Sequence, residues 1–274
     1  MTGPLLTQEA ASQLRDAAAR GAADVELSLD LGRTRVRVDL GAEGWRWRDQ
    51  DYPYLDAARE RTVYHWDGAQ FAPVARWSGS LLKLVPTHWG PPTFEIDGIK
   101  MLPTAQLSPL ADARAKVALV APRDRTLLDT CAGLGYFAVA ALEAGARRID
   151  SFEKNADVLW LRSLNPWSPA DDARLQVTHA DISTRIATLA PASYDAALHD
   201  PPRFGIAGEL YSAQFYLQLA RVLKPGAPLF HYTGAPNRNS RGRDLPGEVI
   251  RRLGTAGFDA RRSGDGVLAV RRRR

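Results

Sequence analysis

The sequence predicts an α/β protein: a doubly wound, seven-stranded sheet with an antiparallel last strand, preceded by a small, mainly antiparallel β domain. From residue 126 onward, short apolar runs that end in polar residues alternate with helical patterns, which is typical of β-α units. Before residue 105, short alternating runs are separated by Asp-Gly pairs, which favour hairpins. We therefore expect a β-rich domain over 1–105 and the α/β domain over 106–274.

The first hundred residues predict one helix and several hairpins. A helical pattern covers about 7–20. Apolar and polar residues then alternate over 25–31 and 36–40, with a turn at Gly32-Arg33, so one face of this hairpin is buried. Two more hairpins are marked by the pairs Asp67-Gly68 and Asp97-Gly98.

Arginines and aromatic residues are interleaved here, as in Trp45-Arg46-Trp47-Arg48. Such a surface could bind single-stranded RNA by stacking and phosphate contacts. Strand alternation explains the same pattern, with tryptophans inward and arginines outward, and we favour this structural explanation. The domain could present a substrate, cover the site or form a homodimer contact.

The stretch 126–137 carries the strongest functional signal. An apolar strand ends at Asp129 and continues through Cys131 into a turn with Gly133 and Gly135, before an apolar helix. Glycines allow a ligand to approach the backbone closely, and a helix N-terminus adds partial positive charge. The pattern indicates the cofactor turn of an open α/β sheet.

Two cofactor classes fit this turn. The run 133–138 matches the G-x-G-x-x-G/A pattern of NAD and FAD sites. Asp129 precedes the first glycine by four residues, where its carboxylate would repel a pyrophosphate. The ammonium and sulfonium of S-adenosylmethionine tolerate such an acid. We therefore interpret Asp129, Cys131, Gly133 and Gly135 as an S-adenosylmethionine site.

Acidic residues end the next two predicted strands. Glu153 ends the second strand, about 20 residues after the turn, where a carboxylate can accept hydrogen bonds from ribose hydroxyls. Asp181 ends the third strand and could accept the adenine amine, while Ile182 packs on the ring. Asp181 also suits a helix N-cap, which is compatible with the adenine contact.

The fourth strand, 194–199, leads into Asp200-Pro201-Pro202-Arg203-Phe204. Residues just past strand ends line the ligand crevice of such sheets, and two prolines fix the backbone there. A carboxylate beside a fixed carbonyl can orient an amine lone pair and stabilise developing positive charge. We assign the catalytic site to Asp200, Pro201 and Phe204, with Phe204 as a stacking face. A rigid turn without function is the alternative.

The rest of the chain completes the sheet. We predict a helix over 211–223, a strand over 227–233 whose His231 and Tyr232 face the cleft, a helix over 248–256, and a hairpin of 258–262 with 266–270. The polar run 237–244 contains three arginines that could hold substrate phosphates. A solvated loop explains that run equally well.

Together these motifs resemble class I S-adenosylmethionine-dependent methyltransferases over about residues 107–274. Within that class the chain looks most similar to a predicted archaeal-type family related to MnmC and spermidine synthases. The resemblance rests on five groups of residues: 129–136, Asn165-Pro166-Trp167-Ser168, 199–204, 207–211 with Phe215-Tyr216, and 221–226 with 230–232. It implies a Rossmann-like methyltransferase sheet, cofactor binding at Asp129, Gly133, Gly135, Glu153 and Asp181, and an acceptor near Asp200.

Composition narrows the protein class. The chain has 274 residues and a net charge of +5, so its basic balance favours an anionic partner such as RNA. One cysteine excludes an internal disulfide framework. No apolar run reaches the ~20 residues of a membrane span, and the histidines lack metal-ligand spacing. We expect a cytoplasmic enzyme without a bound metal.

Three functions remain open. The first is S-adenosylmethionine-dependent N-methylation of a base amino group in tRNA or rRNA. The second is methyl or aminopropyl transfer to a small amine or a protein. Beyond Asp200 the sequence offers Glu209 but is otherwise basic or neutral, which disfavours a polyamine pocket. The third is a non-catalytic S-adenosylmethionine-binding RNA module, which would not need the Asp-Pro-Pro turn. An NAD enzyme is more distant.

Overall fold

The computed structural model describes residues 3–234 and 244–273. The chain divides into two compact units, Met1–Pro109 with Trp160–Ser168, and Leu110–Leu159 with Pro169–Arg274. No sequence pattern indicates that the short segment Trp160–Ser168 belongs with the first unit. The domain boundary that we expect between residues 105 and 106 stays a prediction.

Within residues 3–109 the first unit is made of helix α1 and short antiparallel strands. Their order in the sheets is β1-β6-β7, β2-β3-β4-β5 and β11-β10-β9-β8. The elements are β1 (Leu5–Leu6), α1 (Gln8–Ala19), β2 (Asp24–Leu27), β3 (Val36–Leu40), β4 (Gly44–Trp47), β5 (Gln50–Pro53), β6 (Tyr64–Trp66), β7 (Phe71–Pro73), β8 (Ala75–Trp77), β9 (Leu81–Val85), β10 (Thr93–Ile96) and β11 (Ile99–Lys100).

The predicted helix and hairpins of this unit are confirmed, and the interleaved aromatic residues have a structural role. Trp45 is 2% exposed and stacks on Tyr52 with ring centroids 4.7 Å apart. Arg46 points the other way and pairs with Asp51 at 2.7 Å. Alternation along β4 therefore places Trp45 in the core and Arg46 at the surface.

The second unit is built on a seven-stranded sheet in the order β14-β13-β12-β15-β16-β18-β17. From Pro109 onward the elements are α2 (Pro109–Ala118), β12 (Thr126–Asp129), α3 (Tyr136–Glu143), β13 (Arg148–Glu153), α4 (Ala156–Leu164), β14 (Leu175–His179), α5 (Ile182–Arg185), β15 (Ala196–His199), α6 (Ala213–Val222), β16 (Pro228–Tyr232), α7 (Leu245–Thr255), β17 (Phe258–Ser263) and β18 (Gly266–Arg271).

The strand directions confirm the predicted fold class. Strands β12 to β16 pair in parallel, whereas β18 is antiparallel to both β16 and β17. In register, Asp129 lies opposite Leu198, and His199 lies opposite His231. The carboxyl ends of β12, β13, β14, β15 and β16 therefore meet at one edge of the sheet, where such folds bind ligands.

Helix boundaries differ from the prediction where capping residues set them. Helix α7 begins at Leu245 rather than Glu248, because Asp244 caps it by accepting a hydrogen bond from the Gly247 amide at 3.1 Å. Helix α6 begins at Ala213, where Ser212 accepts a hydrogen bond from the Phe215 amide at 3.1 Å. Residues 208–211 before it form a 3-10 turn that the helical pattern does not distinguish.

Candidate active site

The turn after β12 has the backbone conformation that glycine favours. Gly133 has a φ of 49° and Gly135 a φ of 87°, and the Gly135 amide donates to the Ala132 carbonyl at 2.8 Å. The Ala132 amide donates to the Phe152 carbonyl at 2.8 Å, which ties the turn to β13. Helix α3 follows with no side-chain cap at Gly135, and its dipole favours negative charge there.

Glu153 ends β13 and faces this turn. One carboxylate oxygen, Oε2, accepts a hydrogen bond from the Gly133 amide, and the other, Oε1, accepts one from the Asn155 amide, both at 2.9 Å. A carboxylate oxygen has two acceptor sites, so these contacts orient Glu153 without exhausting its capacity to accept ribose hydroxyls. The structure thus brings Gly133, Gly135 and Glu153 together.

Asp129 and Cys131 lie beneath and within the turn. Asp129 is fully buried, and its Oδ2 accepts a hydrogen bond from the Ser151 hydroxyl at 2.6 Å. Cys131 is half-buried, and desolvation raises the pKa of its thiol, so the thiol is neutral. Both residues are at the turn. Because Asp129 is buried, it would act on a bound cation through its negative charge and not through an exposed surface.

Asp181 is held by two partners at the start of α5. Its Oδ1 accepts from the Ser183 amide at 2.9 Å, which confirms the N-cap interpretation, and its Oδ2 lies 2.7 Å from the Lys154 ammonium. Burial favours a higher pKa for Asp181, but the hydrogen bonds from Lys154 and Ser183 outweigh it and lower the pKa. Ile182, beside it, is 4% exposed. Their contacts with adenine stay a prediction.

Asp200 lies next to the cofactor turn because β12 and β15 are neighbours. The Thr130 amide donates to the Leu198 carbonyl at 3.1 Å, and the Thr130 hydroxyl lies 2.7 Å from Nδ1 of His199. These contacts tie the residue before Cys131 to the residue before Asp200. None of the hydrogen bonds found among residues 3–234 and 244–273 ends on the Asp200 carboxylate.

The Asp-Pro-Pro turn is anchored from the 3-10 turn that precedes α6. The Tyr211 hydroxyl donates to the Pro202 carbonyl at 3.1 Å, and Pro201 is buried. The ring of Phe204 meets the Tyr211 ring edge-on, with centroids 5.4 Å apart. The half-buried Phe204 is therefore fixed by packing, and its predicted stacking on a substrate stays a prediction.

A charged cluster at Asp200 has no counterpart in the sequence prediction. Desolvation raises the pKa of Asp200 to about 7; the nearby ammonium of Lys116 opposes this, and the carboxylates of Asp112 and Asp265 add to it. Lys116 is 4% exposed, with its Nζ 2.7 Å from Asp112 and 3.2 Å from Asp265. These residues come from α2 and the β17–β18 turn, so sequence proximity could not reveal them.

Two buried histidines support the site without facing it. His199 is fully buried between the Thr130 hydroxyl and the Leu210 carbonyl, and burial lowers its pKa to about 4. The expectation that His231 faces the cleft is wrong. His231 is fully buried and lies 2.8 Å from the Tyr216 hydroxyl, because β16 is covered by α6 at this position. Both imidazoles are neutral.

The arginines at 238, 241 and 243, for which we predict phosphate contacts, lie outside the described residues. Within the described ranges, no three His, Cys, Asp or Glu side chains are grouped as a metal site would require. No helix in the same ranges combines the length and apolar character needed to cross a membrane.

Comparisons with solved structures bear on the fold. A spermidine synthase in complex with the transition-state analogue AdoDATO matches with a TM-score of 0.58 at 15% identity, covering 72% of each chain. MnmC2 from Aquifex aeolicus matches with a TM-score of 0.53 at 19% identity, covering 72% of this chain and 71% of that one. These matches confirm the class I methyltransferase fold that the sequence resemblance implies.

Sequence comparison adds one relative. No protein-family model matches the chain. The "Uncharacterized protein MJ1233" of Methanocaldococcus jannaschii is 36% identical over 263 residues, which cover 91% of this chain and 90% of that protein. The chain therefore belongs to the same family as the Methanocaldococcus jannaschii protein MJ1233.

Proposed function

We propose that this protein is an S-adenosylmethionine-dependent methyltransferase that methylates an amine nitrogen, and that this nitrogen is a base amino group of tRNA or rRNA. The observation that carries the proposal is the connection between two turns. Thr130 and His199 tie the glycine turn after β12 to the Asp200-Pro201-Pro202 turn after β15. A methyl donor in the first turn and an amine at the second would lie side by side.

The residues present fit S-adenosylmethionine. The turn places a left-handed glycine backbone at the start of α3, and Glu153 stands opposite Gly133 with acceptor capacity for ribose hydroxyls. Asp129 supplies negative charge beneath a sulfonium and an ammonium. A pyrophosphate would meet Asp129, Glu153 and Asp181 as three like charges, which disfavours NAD.

Asp200 would orient the acceptor. S-adenosylmethionine, when bound, supplies a sulfonium methyl group, which an amine lone pair takes while the carbon–sulfur electron pair stays on sulfur. An ionised Asp200 would accept a hydrogen bond from the amine N–H, aim the lone pair and stabilise the charge that develops on nitrogen. The same carboxylate, whose pKa is about 7, suits the proton that the cationic nitrogen releases.

The charge distribution supports RNA as the substrate class. Residues 203–274 contain 14 Lys and Arg but 5 Asp and Glu, so the excess positive charge of the chain lies in the part that follows the Asp-Pro-Pro turn. Arginine is the residue that binds phosphate in a bidentate manner. Phosphate contacts would position an RNA, while the amine site would select the base.

Transfer to a small amine, including aminopropyl transfer, is the second candidate. The sequence around Asp200 disfavours it for lack of acids, but the structure adds Asp112 and Asp265 from elsewhere in the chain. An acidic surrounding favours a cationic amine. The fold likeness to spermidine synthase, at 15% identity, does not decide between methyl and aminopropyl transfer.

Double labelling tests both candidates. Two donors, S-adenosylmethionine with tritium in the methyl group and decarboxylated S-adenosylmethionine with ¹⁴C in the aminopropyl group, are incubated with RNA, protein and small-metabolite fractions from cells lacking the gene. Tritium alone in nuclease-sensitive RNA, on a base amine, supports the proposal. The ¹⁴C label in small amines supports aminopropyl transfer instead. Asp200→Asn should sharply lower the yield of either product, whereas Asp259→Asn, at an exposed ion pair with Arg272, should not.

A further inference from the structure

Lys116 is a buried cation enclosed by three elements. Its ammonium lies 2.7 Å from Asp112 on α2 and 3.2 Å from Asp265 in the β17–β18 turn. The same ammonium lies 4.2 Å from the centre of the Tyr232 ring, at the end of β16. A lysine is almost never so buried unless it is paired, and here its partners are two acids whose charges act on Asp200.

The charges of this cluster do not balance. The ammonium lies within ion-pair distance of two carboxylates, those of Asp112 and Asp265. A third carboxylate, Asp200, directly follows His199, which lies opposite His231, so Asp200 lies beside Tyr232, whose ring the ammonium contacts. Desolvation and the Asp265 carboxylate also raise the pKa of Asp112, although Lys116 opposes the change. Burial works against the charged form of Lys116, but Asp200, Asp112 and Asp265 outweigh it and raise the pKa of this lysine. The ammonium is therefore permanently charged and acts on all three acids.

The remaining groups around Asp200 would not keep its carboxylate ionised. Asp129, at the end of β12, adds negative charge. The hydroxyls of Tyr211 and Tyr232 and the Cys131 thiol are neutral, because burial raises the pKa of each. The adjacent imidazole of His199 is neutral as well. Against this surrounding, Lys116 favours the ionised form of Asp200.

We propose that Lys116 is a positioning residue for Asp200: its ammonium, fixed by Asp112 and Asp265, favours the ionised form of Asp200, which can accept a hydrogen bond from an amine. The catalytic role of Lys116 rests on the proposed function, whereas its electrostatic effect on Asp200 does not. The raised pKa of Asp200, about 7, means that a modest change in the surrounding charge alters its ionisation near neutral pH.

Two substitutions should shift the ionisation of Asp200 in opposite directions. Lys116→Met removes the positive charge, so the pKa of Asp200 should rise and its carboxylate should be protonated at pH 7. Asp265→Asn removes a negative charge while Asp112 still pairs with Lys116, so the pKa of Asp200 should fall. Lys116→Arg keeps the positive charge, so the pKa of Asp200 should stay near its wild-type value. If Lys116 had only a packing role, the two substitutions would not shift the pKa of Asp200 in opposite directions.

The experiment is an NMR titration of the full chain labelled with ¹³C at aspartate carboxyl carbons, in which Asp200→Asn identifies the Asp200 signal. We expect a midpoint near pH 7 for the wild type. It should rise by about one pH unit or more in Lys116→Met and fall in Asp265→Asn, with Lys116→Arg near the wild type. An unchanged midpoint in Lys116→Met would overturn the proposal. If that variant does not fold, an Asp265→Asn midpoint at or above the wild type would overturn it.

The titration needs no substrate, so it separates this proposal from the proposed function. Opposite shifts without methyl transfer to any fraction would refute the methyltransferase while leaving the Lys116–Asp200 coupling intact. Where methyl transfer is observed, the acidic limb of the kcat profile should follow the Asp200 midpoint in each variant. A profile that moves while the midpoint stays fixed would contradict the role of Lys116 as a positioning residue.

Discussion

The carboxylates in the two halves of the site differ in their hydrogen bonds and in the direction of their pKa shifts. In the cofactor half, formed by the glycine turn and the ends of β13 and β14, Glu153 accepts two backbone hydrogen bonds and Asp181 pairs with Lys154. In the acceptor half, formed by the Asp-Pro-Pro turn, α2 and the β17–β18 turn, Asp200 accepts none from the described residues. The pKa is lowered for Asp181 and raised for Asp200.

This contrast indicates two modes of ligand recognition. The cofactor half is preorganised by internal hydrogen bonds, so a ligand meets acceptors that are already oriented. The acceptor half retains a desolvated carboxylate whose charge is incompletely compensated. An amine that gains positive charge as it reacts would supply that compensation in the transition state, which is where stabilisation accelerates a reaction.

Asp200→Asn provides the strongest test of the contrast. The variant keeps the size of the side chain but loses the charge, so turnover should fall by about 10²–10³-fold, as for loss of one preorganised electrostatic contact. Cofactor affinity should stay within about threefold of the wild type, because no contact of the cofactor half changes. Isothermal titration with S-adenosylhomocysteine and single-turnover methyl transfer measure the two quantities. If turnover and cofactor affinity fell by the same factor, the cofactor half and the acceptor half would not be functionally distinct.

Glu153→Gln tests the other half. Losing the charge from a carboxylate that would accept ribose hydroxyls should weaken S-adenosylhomocysteine binding by about 10–100-fold, the effect of a charge-assisted hydrogen bond. Turnover at saturating cofactor should change far less. Glu143→Gln is the matched control, since Glu143 ends α3 in an exposed ion pair with Arg114. Weakening of similar size in the control would show that the effect is not local to the turn.

The pH dependence of stability is a third test. The folded pKa of Asp200, about 7, lies above the unfolded value of about 3.9, so this group contributes stability that is fully present below pH ~4 and lost as pH rises through 7. An asparagine does not ionise, so the Asp200→Asn variant should not lose stability in this way as the pH rises. Relative to the wild type it should gain about 1–3 kcal/mol between pH 5 and pH 8, measured by urea unfolding. Parallel pH profiles of the two proteins would mean that Asp200 titrates normally.

The same division explains what the sequence could and could not predict. The cofactor half is local: Asp129, Gly133 and Gly135 are at one turn, Glu153 ends the predicted second strand, and Asp181 follows β14 within two residues. The acceptor half is assembled from distant segments. Asp112 and Asp265 are 153 positions apart in the chain, and a helix with alternating small and charged residues carries no mark of a site. The burial of His231 likewise depends on α6, which packs over β16.

Tyr211→Phe is the smallest of these perturbations and the most specific to the acceptor half. It removes the hydroxyl that donates to the Pro202 carbonyl at 3.1 Å but keeps the ring against Phe204. Loss of this one hydrogen bond should cost about 1 kcal/mol of stability. The Asp-Pro-Pro turn also loses its anchor, so turnover should fall by about 3–10-fold while cofactor affinity stays constant.

Tyr216→Phe is the control for this effect, because it removes a hydroxyl of similar burial whose partner is Nε2 of His231 at 2.8 Å. Its stability should fall by a similar amount with turnover near the wild type. If both variants lose the same turnover, a general loosening of the sheet explains the result. If Tyr211→Phe alone is impaired, the position of the Asp200 turn limits catalysis, because its charge is unchanged in that variant.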